Sequence, residues 1–150
     1  MKFLPLLGRL LKDDEIIEIF EGLNIDVIYE FDRLHENQPD IYWATSKPEG
    51  FQFRFDEKQR LEVVFLHIAS SGGYAAFLQR DCDIPFFASK HEVEAYGKAH
   101  HLQVSKGKAD FDGVSREWLR LELTTHSIHY EFRAGCLALV TISRKDEPAA

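Results

Sequence analysis

Cysteine is scarce in this chain, which has Cys82 and Cys136 and no others in 150 residues. Neither stands at metal-ligand spacing from the other, and two thiols make no disulfide framework. Both are read as idle or buried thiols of a reducing compartment. Basic residues are outnumbered, with 18 Lys and Arg against 25 Asp and Glu and a net charge of −7. That deficit argues against a nucleic-acid partner, which needs clustered Lys and Arg, and against an anionic membrane surface. Long apolar runs are missing too. The N-terminal stretch Met1–Leu11 is broken by Pro5 and Arg9 and has no small-residue cleavage site, so no secretory signal is expected. No stretch reaches the roughly 18 apolar residues of a membrane span, and a cytoplasmic location is expected.

What the chain does have is Phe, twelve of them, enough for a core of large aromatic side chains. Its length fits one domain, residues 1–150, and needs no metal or disulfide to bury a core.

Periodicity divides the chain. After Asp13 and Asp14, the apolar residues Ile16, Ile17, Ile19, Phe20 and Leu23 recur at helical spacing, with Gly22 and Asn24 as stop signals. Ile25 to Tyr29 reads as a short strand, Asp32 to Asp40 as a polar loop, and Ile41 to Ala44 as β again. Phe51-Gln52-Phe53-Arg54-Phe55 alternates strictly and, with residues 61–68, predicts a hairpin. Residues 74–87 read as an irregular connection. Ser89 and Glu92 then form a capping box at the head of a second helix. Ser105 to Gly113 reads as a loop, and residues 118–123, 128–132 and 137–142 as strands. Residues 144–150 are a charged tail.

The second half echoes the first. Glu15, Ile16, Ile19, Phe53 and Phe55 fall on Glu92, Val93, Tyr96, Tyr130 and Phe132 at one offset, and Trp43 and Trp118 precede each hairpin. Such self-similarity predicts an α+β domain. Two similar helix-plus-antiparallel-hairpin halves, about residues 13–68 and 89–143, form a sheet with helices on one face.

This capped helix, Trp-bearing strand and alternating hairpin resembles the unit of the SmpA/OmlA lipoprotein group. In tandem it is similar to the β-lactamase inhibitor protein family. Where that group ends its helix with a Pro-containing signature, this chain reads Tyr96-Gly97-Lys98 and Glu21-Gly22-Leu23, and no lipoprotein Cys implies an anchor. The layout also resembles immunity proteins encoded beside bacterial polymorphic toxins. The matching segments are Leu6-Leu7-Gly8, Arg54-Phe55-Asp56 with residues 63–67, and residues 138–142. The resemblance implies a cytoplasmic, non-enzymatic protein-binding module that neutralises a cognate toxin, an antitoxin in function. Function here follows from the scaffold by analogy alone. The acidic balance suits a basic partner such as a nuclease domain.

No pattern for chemistry competes. His126 and His129 are three apart on a presumed strand and point to opposite faces, and no metal or cofactor is expected. Asp81-Cys82-Asp83 flanks its thiol with carboxylates, which oppose a thiolate. Ser70-Ser71-Gly72-Gly73 lacks the Lys of a phosphate loop. Two regions remain for a partner. One is the loop from Asp32 to Trp43, carrying Asp32, Glu36, Asp40 and Tyr42, of which Glu36, Asp40 and Tyr42 are the expected anchors. The other is the outward strand residues Arg54, Arg120, Glu122, His129 and Glu131. Rival readings are a small ligand-binding domain or enzyme with a pocket between helices and sheet, and a homodimeric adaptor.

Overall fold

The computed structural model describes residues 1–30, 39–80 and 82–146. A short 3₁₀ turn, Leu4–Leu6, precedes helix α1 (Asp14–Gly22) and four strands: β1 (Val27–Glu30), β2 (Ile41–Ser46), β3 (Phe51–Phe55) and β4 (Leu61–His67). Helix α2 (Lys90–Ala99) precedes four more: β5 (Gln103–Phe111), β6 (Val114–Glu122), β7 (His126–Arg133) and β8 (Cys136–Arg144). All eight strands join one antiparallel sheet in the order β1-β2-β3-β4-β8-β7-β6-β5.

This corrects the expected α+β architecture of helix-plus-hairpin halves. The molecule is predominantly β, and its two helices hold only 9 and 10 residues. Each half contributes a four-stranded meander, not a hairpin, so the expected internal repeat of helix and hairpin does not describe the chain. The largest misreading is the segment Ser105 to Gly113. It was expected as a loop because it is polar and contains Gly107, yet residues 103–111 form an edge strand paired with β6 along its whole length. An edge strand open to water tolerates Lys, Ser and Gly where a central strand would not. Polarity there reports exposure, not irregular backbone.

One face of the sheet is apolar and carries the core. Two rows of side chains cross it in register: Ala44, Phe53, Val64, Ile142, Ile128, Leu121 and Val104, then Ser46, Phe51, Leu66, Val140, Tyr130 and Leu119. Most of these are fully buried. Helix α1 lays Ile16 and Phe20 on this face, with the Phe20 ring centroid 6.4 Å from that of Phe53 and 6.2 Å from that of Phe55. Helix α2 approaches the sheet closely because Gly97 faces Val104 and Leu121, where a methyl group would overlap the Val104 side chain. Ser89 accepts the Glu92 N–H at 3.4 Å, and Glu92 reaches back to accept the Ala88 N–H at 2.7 Å, which fixes the start of α2. At α1 the cap works differently. The Asp13 carboxylate accepts the Leu10 N–H at 2.8 Å, and its carbonyl takes the first helical bonds.

The N-terminal segment is strapped onto the same face. Phe3 is fully buried among Phe51, Phe53 and Phe77. The Asp83 carboxylate accepts both the Phe3 and Leu4 N–H groups, at 2.8 and 2.9 Å, and so ties the segment to the connection between the meanders. The same connection receives the Tyr130 hydroxyl, which donates to the Pro85 carbonyl at 2.7 Å. Burial pushes that phenol's pKa far up, so the ring stays a neutral donor.

Candidate outward face of the sheet

Strand alternation sends every second side chain to the opposite face, and among the described residues no helix lies over it. One outward row reads Ile28, Trp43, Arg54, Val63, Ser143, Ser127, Glu122 and Gln103, and the next Thr45, Gln52, Phe65, Thr141, His129, Arg120 and Ser105. Below them run His67, Leu139, Glu131, Trp118 and Gly107, then Arg133, Arg116 and Ala109.

The large side chains on this face hold one another in place. The Trp43 indole stacks on Phe65 at 6.1 Å and donates its N–H to Glu30 at 2.8 Å. The Arg54 guanidinium sits 5.9 Å from the Trp43 ring centroid, and its Nε donates to Glu62 at 2.9 Å. Across the seam, Trp118 stacks on His129 at 5.3 Å. Its cross-strand neighbour is Gly107, where a Cβ would come within 2.5 Å of the indole, so the absence of a side chain there lets the ring settle against the edge strand. Trp43 stands opposite Arg54 and Trp118 opposite Glu131, in different rows of the face. His67 stacks on Tyr74 at 3.9 Å, with the Lys47 ammonium 5.9 Å from the tyrosine ring.

Charge on this face is paired within it. Glu122 takes Arg120 at 2.8 Å and Lys145 at 2.7 Å, and Glu131 takes Arg133 at 2.7 Å. The Lys145 hydrogen bond, opposed by burial and supported by the Arg120 charge, holds the Glu122 carboxyl below its ordinary pKa. Burial lowers the pKa of His129, an effect that Glu131 opposes and Arg120 reinforces. Burial, then the Arg133 charge, lowers that of His67. Both imidazoles are therefore neutral at neutral pH.

Of the residues proposed from sequence, Arg54, Arg120, Glu122, His129 and Glu131 all stand on this face. Tyr42 does not. It pairs with Phe55 on the helix-bearing side, and its ring lies tilted against that of Tyr29 with centroids 4.9 Å apart. Asp40 lines a cleft at the strand ends with Arg54, Asp56, Arg60, Glu62 and Asp146. Glu36 lies outside the described residues. Sequence reasoning passed over Trp118, Phe65, Arg116 and Arg133. Parity would have found Trp118, since it precedes the inward Leu119 in the same alternating strand.

Other candidate chemistry lies apart from this face or is dispersed. His126 is buried on the helix-bearing side against Thr125, at 2.9 Å. The Cys82 thiol is pushed up in pKa, first by burial. Among the described residues no three His, Cys, Asp or Glu side chains gather as a metal site, and no helix is long and apolar enough to cross a membrane.

Fold and face together define a single-sheet β protein with one face packed under helices and the other lined by stacked aromatics and ion-paired arginines. No family model, curated protein or solved structure matches the chain.

Proposed function

We propose that this chain is a non-enzymatic protein-binding module that uses the outward sheet face to hold and neutralise a partner protein. The partner in this reading is a bacterial toxin met in the cytoplasm, as the resemblance to immunity proteins implies. One observation carries the reading: Trp43 and Trp118 stand half-buried on a sheet face that no described helix covers, each stacked on a neighbouring ring. Interface energy concentrates in such Trp and Arg anchors. Anchors already immobilised by stacking and ion pairs lose little further freedom on binding.

The expectation of a basic partner rests on the net charge of −7, which acts at long range. The face itself is mixed in sign. Many acidic side chains lie elsewhere, among them Asp14, Glu15, Glu18 and Glu21 on α1.

The test is rescue. Genomic fragments of the source organism that arrest growth when expressed are co-expressed with this chain. Wild type is expected to relieve at least one arrest, and the Trp43→Ala/Trp118→Ala variant, shown to fold, to lose that protection. A screen with no rescued fragment, or rescue indifferent to both tryptophans, removes the proposal.

A further inference from the structure

A groove lies on the helix-bearing side of the sheet, between α2 and the edge pair β5 and β6. Two adjoining hollows of about 280 and 260 Å³ form it and share Glu94 and Lys106. One wall is α2, through Lys90, Glu94 and Lys98, spaced by four and so on one side of the helix. The other is β5, through Lys106 and Lys108, spaced by two and so on one face of the strand. The floor is apolar, made by Val104 and by the buried Leu119, which stands opposite Lys106.

This groove reverses the charge of the molecule. Lys90, Lys98, Lys106 and Lys108 line it against Glu94 and Glu117, which leaves it +2 in a chain of −7. Both carboxylates are already engaged. Glu94 takes Lys106 at 3.2 Å. Glu117, the cross-strand neighbour of Lys108, is taken instead by Lys90, which lies 3.2 Å from each of its oxygens. Lys98 and Lys108 form no ion pair among the described residues. A lysine stem packs along apolar surface while its ammonium stays in water. The groove therefore has hydrocarbon on its floor and walls and spare cations at its rim. Lysine on an edge strand also deters the addition of another strand, but that role calls neither for the lysines of α2 nor for the hollow between them and β5.

From this arrangement we infer that the groove is a binding site for a small amphiphilic anion, a single carboxylate head on a short apolar body. The head pairs with Lys108, the spare cation of the larger hollow, and Lys98 adds its charge from the adjoining one. The body lies on Val104 and Leu119 between the lysine stems. Ligand cavities run from about 300 to 1,000 Å³, so hollows of this size suit a compact ligand. A polyanion fits less well, because the chain's overall −7 repels a long negative chain while a small anion feels mainly the local charge. The site is separate from the outward face and stands or falls without it.

Titration of the full chain with octanoate, followed through its backbone amides by NMR, tests this. Saturable shifts are expected in α2, β5 and β6, with a dissociation constant below about 1 mM. 1-Octanol, which has the same body and no charge, should bind about tenfold more weakly. Lys98→Gln/Lys108→Gln should weaken octanoate about tenfold, as loss of a charged contact does, and should leave the remaining spectrum in place. Glu94→Gln releases Lys106 and removes a carboxylate from the wall. It should tighten octanoate severalfold, a gain that misfolding cannot produce. No saturable shift, shifts centred outside the groove, or binding indifferent to the lysine variants overturns the inference. Equal affinity for 1-octanol also overturns it, in favour of an apolar patch without a charge preference. Binding to vesicles of anionic phospholipid but not to octanoate overturns it in favour of a lipid surface.

Discussion

The two faces of the sheet are built from the same strands and alternate residue by residue, yet they are held by different forces. The helix-bearing face is a continuous apolar layer in which Phe51, Phe53, Phe55, Leu66 and Val140 are at most 1% exposed. The outward face is held by stacking and by ion pairs between half-exposed groups. Hydrophobic burial scales with area removed from water, whereas exposed ion pairs add little to stability. The comparison teaches that stability resides on one face and leaves the other chemically free to change.

That contrast can be broken most forcefully at Phe55. Truncation to Ala should cost about 3–5 kcal/mol, the usual penalty for emptying a buried aromatic site, read as the shift in urea midpoint. A variant that unfolds with the parent would mean that the helix-bearing face is not the core. Gly107→Ala probes the join between the outward face and the edge strand. Its methyl would overlap the Trp118 indole at 2.5 Å, so about 1–3 kcal/mol should be lost, together with a change in tryptophan fluorescence. Unchanged emission and stability would place the indole elsewhere. The smallest expected effect is electrostatic. Glu122 has a depressed carboxyl pKa, so its contribution is present above the unfolded carboxyl pKa and is lost as pH falls through the lower, folded value. Lys145→Met removes the main cause, and NMR titration should find the Glu122 pKa raised. An unmoved titration would show that the hydrogen bond from Lys145 does not form.

Legibility in the sequence followed the same division between faces. Phe51, Phe53, Phe55, Ile128, Tyr130 and Phe132 announce themselves by period-two alternation, and all of them are buried. The strand β5 was invisible because its outward residues Ser105, Gly107 and Ala109 are small and Lys106 and Lys108 are charged, a composition that propensity reads as loop. The number of strands, and with it the fold class, was therefore misjudged. Five outward residues could be assigned by parity, since a strand with one apolar side names its other side for free. Tyr42 was misplaced because its segment mixes aromatic and polar residues on both sides. The pairing of Arg116 with Arg133 depends on register between strands, which no single strand records.

The position of β8 has a consequence for how the chain acquires its shape. Every strand neighbour in the sheet is also a neighbour in sequence except one, the β4–β8 pair, which joins Val63 to Ser143 and Leu66 to Val140. The local pairings close short loops quickly, whereas this one must close a loop of more than seventy residues, and long-range closure slows folding. During synthesis β4 emerges with its hydrogen-bonding edge open and its apolar face only partly covered. It stays so until residue 144 has cleared the ribosome. A nascent chain stalled before that point presents an unpaired strand, the kind of edge that other chains can capture. Translation speed between α2 and β8 thus bears directly on how much of the protein reaches its native sheet.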